Sequence, residues 1–263
     1  MKIVVCIKQV PGVSSVKIDP ETKRLIRDGV ISVINPFDYY ALEEALRLRE
    51  LHGGSVTVLS MGPQKAEQSI REALAFGADN AVLLCDKHFA GSDTWGTSYV
   101  LALAVRKIGD VDLVLCGKQA IDGDTAQVGP GIAAHMKDWP HAAGVSAING
   151  IEDHMLSVNR MIDGGYDECL LTLPAVLSVI KEINEPRVAR LKGWLKAEHS
   201  LIDIWDADQI GADVNLLGLN GSPTRVVKTT PPKSRDRKTT FFDGSEAESA
   251  GKLLYELRII SAI

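Results

Sequence analysis

Through its first half the chain repeats one pattern, and that pattern leaves few folds open. "KIVVCIK" near the start, then "SVTVLSM", "AVLLCD" and "VDLVLCG", are short apolar runs rich in β-branched residues. Runs without a polar face suit strands buried on both sides. Between them lie stretches with helical signals. "PFDYYALEEALRLRELHGG" opens on Pro36, closes on Gly53-Gly54, and sets apolar residues at 42, 45, 46, 48 and 51. "QKAEQSIREALAFGA" follows a Gly-Pro pair, "GSDTWGTSYVLALAVRKIG" starts at Ser92 or Asp93 as N-cap, and "AQVGPGIAAHM" gives the next helix. Strand and helix in alternation predict an α/β fold: a doubly wound, mainly parallel sheet with helices on both faces.

After about residue 140 the texture changes. "HMLSVNRMI", "YDECLLTL" and "AVLSVI" read as short strands around the turn "DGG", an antiparallel hairpin added to the sheet. Residues 184–240, with "NEP", "GSPT" and "TTPPKSRDRK", are poor in regular signals. A structureless stretch of that length is unusual inside a compact domain, so it reads as an arm lying on another chain. "SEAESAGKLLYELRII" closes the chain as a capped amphipathic helix. The expected division is 1–183 as an α/β domain, 184–200 as a loop, and 201–263 as an extended C-terminal arm ending in a helix.

Composition narrows the function. The 263 residues carry a net charge of −5, which argues against nucleic acid as a partner. No apolar run approaches the roughly 18–20 residues of a spanning helix, so no membrane insertion is expected. "MKIVVCIKQV" lacks a signal-peptide pattern and reads as a first strand. Cys6, Cys85, Cys116 and Cys169 are dispersed and form no CxxC, which fits core thiols, a cytoplasmic location and no metal site.

In doubly wound sheets ligands bind beyond the carboxyl ends of the strands, where strand order reverses. The strand-end segments are Cys6-Ile7-Lys8-Gln9, Asn35-Pro36-Phe37-Asp38, Ser60-Met61-Gly62-Pro63 and Gly117 through Pro130. In the last, Gly123 and Gly129 permit close backbone approach, and Asp124, Thr125 and Gln127 precede a helix whose free N–H groups favour a phosphate. "GSDTWGT", with Thr94 and Thr97 one turn apart, is a second loop-to-helix junction. Ordinary helix capping is the competing explanation of both. There is no GxGxxG after the first strand and no GxxxxGK[ST]. His88, His135, His141 and His199 are scattered and read as surface or capping residues. Asp163, Asp167 and Glu168 read as a solvated hairpin tip, and no acid/base pair stands out. A nucleotide-binding protein without its own bond-making side chains fits redox transfer through a cofactor.

The chain resembles the β subunit of electron-transfer flavoproteins over essentially its whole length. The likeness rests on "VCIKQVP", "INPFDYYALEEAL", "LSMGP", "ALAFGAD", "LCGKQAIDGDTAQVGP", "VNRMIDGGYDECLLTLPAVLSV" and "NEPRVARLKGWLKA". Asp167 departs from the Glu or Gln common there. The resemblance implies a heterodimer with an α subunit whose FAD exchanges electrons with acyl-CoA dehydrogenases. Within the family, "AIDGDTAQVGP", "GSDT" and "GSPT" resemble the flavin-bifurcating members. These hold a second FAD that takes hydride from NADH and splits electrons between the α-subunit FAD and a ferredoxin or flavodoxin. The alternative is a simple electron carrier with AMP in the same place and no NADH reaction.

On that resemblance Cys6, Ile7 and Lys8, with Asn35 and Asp38, line the adenosine part, and Met61, Gly62, Cys116 and Gly117 border the cleft. Gly123, Asp124, Thr125, Ala126, Gln127, Val128 and Gly129 bind phosphates, and Thr94 and Thr97 approach the flavin. No catalytic side chain is implied. Residues 1–183 are implied to be the nucleotide- or FAD-binding domain and 184–200 the partner-recognition loop, in which Leu191 is implied to plug a dehydrogenase pocket, rimmed by Arg187, Arg190, Lys192 and Lys196. Glu198 and His199 interrupt the lysine run that simple carriers have next. Leu253, Leu254 and Leu257 are implied to dock the final helix on the α subunit.

Overall fold

A computed structural model describes residues 1–12, 32–227 and 239–259. The "TTPPKSRDRK" part of the expected arm lies outside these residues. Two compact units emerge, Met1–Arg225 and Val226–Ile263.

The first unit begins with β1 (Lys2–Cys6), β2 (Gln9–Pro11), β3 (Ser32–Ile34), α1 (Pro36–His52), β4 (Ser55–Met61), α2 (Glu67–Phe76), β5 (Asn80–Leu84), α3 (Thr94–Ile108), β6 (Leu113–Gly117) and α4 (Val128–His135). It continues with β7 (His141–Glu152), β8 (Met155–Ile162), β9 (Gly165–Thr172), β10 (Ala175–Val179), α5 (Leu191–His199), β11 (Asp203–Trp205) and the single turn α6 (Gly218–Gly221). The nine-stranded sheet has the order β11-β5-β4-β1-β6-β10-β7-β8-β9. It is parallel from β11 to β7, and β8 and β9 add the antiparallel hairpin. The short β2 and β3 pair separately and antiparallel.

Strand alternation sends successive side chains to opposite faces. Ile3, Val5 and Ile7 join one core with Leu42, Leu46, Ile70 and Leu74 of α1 and α2. Val4 and Cys6 join the other with Val100, Leu101, Val105 and Ile132 of α3 and α4. This is the doubly wound sheet that the alternation predicts.

Four details differ from expectation. Leu51 is exposed, whereas Glu43 and Glu44 of α1 are buried. Glu43 is tolerated there because Arg47 Nε and Arg187 Nε donate to it at 2.7 Å each, and Glu44 accepts from Asn184 Nδ2 at 2.9 Å. "HAAGVSAINGIE" forms β7, whose small and polar residues hid the strand signal. Residues 191–199 form a helix rather than a loop, and 201–225 belong to the first unit rather than to the arm, because β11 pairs with β5.

The second unit contains α7 (Glu246–Ile259). Ser245 and Glu248 cap it reciprocally: Ser245 N donates to Glu248 Oε2 at 2.8 Å, and Glu248 N donates to Ser245 Oγ at 3.4 Å.

Helix α5 lies on α2 through Gly193, where an added Cβ would overlap the Ala75 carbonyl oxygen. Arg71 Nη1 donates to the Ala197 carbonyl at 2.8 Å and closes the far end of α5. Gly193→Ala is therefore expected to destabilise the chain by about 1–3 kcal/mol through overpacking, read as a lower denaturation midpoint in urea; an unchanged midpoint would mean that α5 packs elsewhere.

Candidate functional site

The chain leaves β1 through α1 to β4 and then β5 on one side, and returns through α3 to β6 on the other. The strand order therefore reverses between β1 and β6, whose ends meet at the Cys6–Cys116 pairing. Both thiols are buried. The hydrogen bond with Cys6, together with burial, holds the Cys116 thiol well above its ordinary range, so it stays protonated and packs as an apolar group.

Asn35 is wholly buried at this point. Its Nδ2 donates to Asp38 Oδ1 at 2.9 Å and to the Gln119 carbonyl at 2.8 Å, and its Oδ1 accepts from Ile121 N at 3.1 Å. Its own N–H donates to the Lys8 carbonyl at 2.8 Å. Asp38 Oδ2 accepts from Lys8 N at 2.7 Å. One asparagine and one aspartate thus bind the end of β1, the head of α1 and the segment after β6. Gly117 is required here, since a Cβ would overlap the Asp38 carboxylate and the Phe37 backbone. Asn35 and Asp38 form the crevice wall with their polar atoms already engaged. Met61 and Gly62 stand at the end of the neighbouring strand, where Gly62 N donates to the Leu84 carbonyl at 3.0 Å.

The segment from Lys118 to Gln127 continues from this wall, tied to it by the Asn35 bonds to Gln119 and Ile121. Lys8 Nζ meets Asp122 Oδ1 at 2.6 Å, and Gln119 Nε2 donates to Asp124 Oδ1. Asp124 (φ 55°) and Ala126 (φ 54°) adopt left-handed backbone without being glycine, a strained geometry that collects at ligand-binding turns. The N–H groups of Thr125, Ala126, Gln127, Val128 and Gly129 have no acceptor among the described residues. Gly123 has no neighbour where a Cβ would be, so the loop is open there. Such a run of free donors at the head of α4 suits a phosphate group.

Gly129 and Gly131 let α4 approach its neighbours: a Cβ on the first would overlap Ser178 Oγ, and on the second Ser98 Oγ. Ser98 Oγ donates to the Thr94 carbonyl at 2.7 Å and approaches the Val128 carbonyl at 3.3 Å, joining α3 to α4. Thr94 and Thr97 lie in the first turn of α3. That turn is capped by Asp93, whose Oδ1 accepts from Gly96 N at 3.0 Å and whose Oδ2 accepts from Thr224 N and Oγ1 at 2.9 and 2.7 Å. Asp93 N also donates to Ser222 Oγ at 2.8 Å. "GSDT" and "GSPT" are thus clasped together.

The recognition segment divides. Val188, Leu191, Trp194 and Leu195 are exposed, and so are Arg190 and Lys192. Arg187 is engaged within the chain instead, by Glu43 and by Glu50 Oε1 at 2.6 Å. Its acidic partners lie 137 and 144 residues away in sequence, which hides the pairing from a local reading.

The sequence reading missed Ser98, Ser178 and His141. Ser178 interrupts the apolar run "AVLSVI", the one signal that marked it. His141 is neither a surface nor a capping residue: its Nε2 lies 3.3 Å from Ser178 Oγ, and burial, with Arg160 nearby, pushes its imidazole down to about 4. It is neutral at pH 7.

A family model described as "Electron transfer flavoprotein domain" matches residues 22–209. The chain is 48% identical to the electron transfer flavoprotein subunit beta of Thermoanaerobacterium thermosaccharolyticum, over 98% of each chain. It is 45% identical to protein FixA of Azorhizobium caulinodans, over 98% of this chain and 94% of that one. It is 44% identical to the caffeyl-CoA reductase-Etf complex subunit CarD of Acetobacterium woodii, over 98% of both.

Burial pushes the Asp38 carboxyl from 3.8 up to about 7, against the hydrogen bonds from Asn35, Lys8 N and Gly117 N that pull it down. The raised value favours the protonated form in the folded chain. That stabilisation is complete below about pH 4 and is lost as pH rises through about 7. Apart from a pH-independent offset, Asp38→Asn is expected to gain on the parent by on the order of 3 kcal/mol between pH 4 and 8, measured by urea unfolding across that range; a constant difference would place the carboxyl near its ordinary value.

Proposed function

The chain belongs to the electron-transfer flavoprotein family as a β subunit, and from that premise we propose that the switch-point crevice holds FAD of the electron-splitting type. β subunits of this family pair with an α subunit. The observation that carries the reading is the row of N–H groups from Thr125 to Gly129 that have no acceptor among the described residues, beside a wall whose polar groups are already paired. Phosphates need donors of that kind, and the adenosine needs a wall that does not compete for them.

Bound there, FAD supplies a hydride acceptor for NADH and a source of single electrons for the α-subunit FAD and for a ferredoxin or flavodoxin. The chain's own residues hold and orient. The Lys8–Asp122 ion pair fixes the loop across the crevice, and the turns at Asp124 and Ala126 direct backbone donors inward. Thr94 and Thr97, on the capped head of α3, offer hydroxyls on the side away from α1. The buried thiols of Cys6 and Cys116 keep the base of the crevice apolar.

Leu191, with Val188, Trp194 and Leu195, forms the apolar patch for an acyl-CoA dehydrogenase, and Arg190 and Lys192 steer an acidic partner toward it. The name of the CarD relative associates that protein with a caffeyl-CoA reductase, which fits a dehydrogenase-type partner here. Arg187 supports the patch by tying its approach segment to α1. The second unit, with Leu253 and Leu254 exposed on α7, is the arm for the α subunit. No helix among the described residues is long and apolar enough to cross a membrane. The proposed setting is the cytoplasm.

Acid release and chromatography of the purified αβ complex test the central point. Two FAD and no AMP per heterodimer, with bleaching by NADH, are the expected result; one FAD and one AMP would make the crevice a structural nucleotide clamp in a simple carrier. Leu191→Ala is expected to slow electron transfer to the dehydrogenase by about tenfold or more, the loss of one well-packed anchor, while the flavin content stays the same.

A further inference from the structure

The sheet sets two thiols side by side at the switch point. Cys6 closes β1, Cys116 stands next to last in β6, and the two are register partners. They face the same way: both join the core that holds Val4 and Val114, on the side of α3 and α4. Register partners on neighbouring strands lie about 4.8 Å apart, within the roughly 4.4–6.8 Å that separates the Cα atoms of a disulfide. The thiols already meet, since Cys116 is hydrogen-bonded to Cys6. The other two cysteines are placed otherwise. Cys169 of β9 is opposite Val158, and Cys85 follows β5, with β4 between it and β1.

Such a pair has two covalent states. Reduced, the thiols pack as apolar groups, 8% and 4% exposed. Oxidised, they are joined under strain. Cβ atoms on one face of neighbouring strands keep about the strand spacing, whereas a disulfide holds them roughly 3.8 Å apart. Closure therefore pulls the two strand ends together by on the order of 1 Å. Neither end has slack. Lys8 N, two residues after Cys6, donates to Asp38 Oδ2 at 2.7 Å. Gly117 lies so close to the Asp38 carboxylate and the Phe37 backbone that a Cβ would overlap both. A pull at the thiols is thus passed to the wall built by Asn35 and Asp38. A strained disulfide is also readily reduced, which makes the bond reversible.

We infer that Cys6 and Cys116 are a redox-active dithiol, closed into a Cys6–Cys116 bond by a small organic disulfide, and that the closed form holds the nucleotide of the crevice less tightly. The Cys6 thiolate attacks one sulfur of the organic disulfide and expels a first thiolate. The Cys116 thiolate then attacks Cys6 Sγ of the mixed disulfide and expels a second. Two protein thiols and one organic disulfide become one protein disulfide and two small thiols, and the two protons lost by the cysteines end on the expelled thiolates. The closure stands on the strand register; the effect on binding rests on the crevice being a nucleotide site. Linkage is reciprocal. If closure weakens the nucleotide about tenfold, the bound nucleotide makes closure less favourable by the same factor.

The test equilibrates the αβ complex, stripped of nucleotide, in cystamine–cysteamine buffers of increasing oxidising strength, quenches with acid, alkylates the free thiols and maps the peptides by mass. A peptide pair joined through Cys6 and Cys116 is expected, and excess cysteamine is expected to reverse it. Adding back FAD or AMP, whichever acid release identifies, is expected to shift the midpoint by about tenfold in the thiol–disulfide equilibrium, or about 30 mV, toward more oxidising buffers. Nucleotide retained through gel filtration then falls in oxidising relative to reducing buffer in the parent, and is the same in both buffers in Cys116→Ala. No joined peptide at any buffer ratio overturns the dithiol, and so does a link through Cys85 or Cys169 in its place. A joined peptide whose midpoint ignores added nucleotide overturns the coupling. A complex that releases no nucleotide on stripping overturns the crevice assignment instead, and the joined peptide still decides the dithiol.

Discussion

The buried amide of Asn35 holds the site together. Its side-chain donors and acceptor reach Asp38 in the first turn of α1 and the Gln119 and Ile121 backbone after β6, and the residue's own N–H reaches the Lys8 carbonyl beyond β1. The Gln119 carbonyl and Ile121 N are part-buried, and without the amide each loses its partner. The amide cannot be replaced by an apolar group of the same shape without leaving the Gln119 carbonyl and Ile121 N unpaired. Because the same residue precedes Pro36 at the head of α1, the helix start, the switch point and the loop are set in one geometry. The doubly wound sheet supplies the place, and Asn35 supplies the shape.

Much of the fold was legible because its strands are buried on both faces. A continuous β-branched run such as "KIVVC" or "LVLCG" has few other uses in a chain of alternating strands and helices. The failures occurred where burial was one-sided or was satisfied by partners far away in sequence. β7 carries alanine, glycine, serine and asparagine, and it is held by pairing on both sides rather than by its own hydrophobicity. Glu43 and Glu44 lie outside the apolar stripe of α1, and they are buried because Arg187 and Asn184 arrive from more than a hundred residues away. β11 is three residues long, too short for any periodicity to declare itself.

For the site, the strand ends and the glycine-rich segment were readable from topology alone, since ligands gather where strand order reverses. The polar economy within it was not. Asn35 and Asp38 looked like groups available to a ligand, and they are already committed to the protein. The free donors belong to the backbone between Thr125 and Gly129, and no residue type announces an unpaired N–H. Ser178 and His141 illustrate the same blindness: a serine in an apolar strand and a histidine opening another become neighbours only once β10 and β7 pair.

The clasp between "GSDT" and "GSPT" gives one carboxylate two duties. Asp93 ends α3 and also grips Thr224, two residues before the second unit begins. The cap and the tether cannot be separated chemically. Losing that carboxylate therefore removes the cap of α3 and the hold on Thr224 in one stroke.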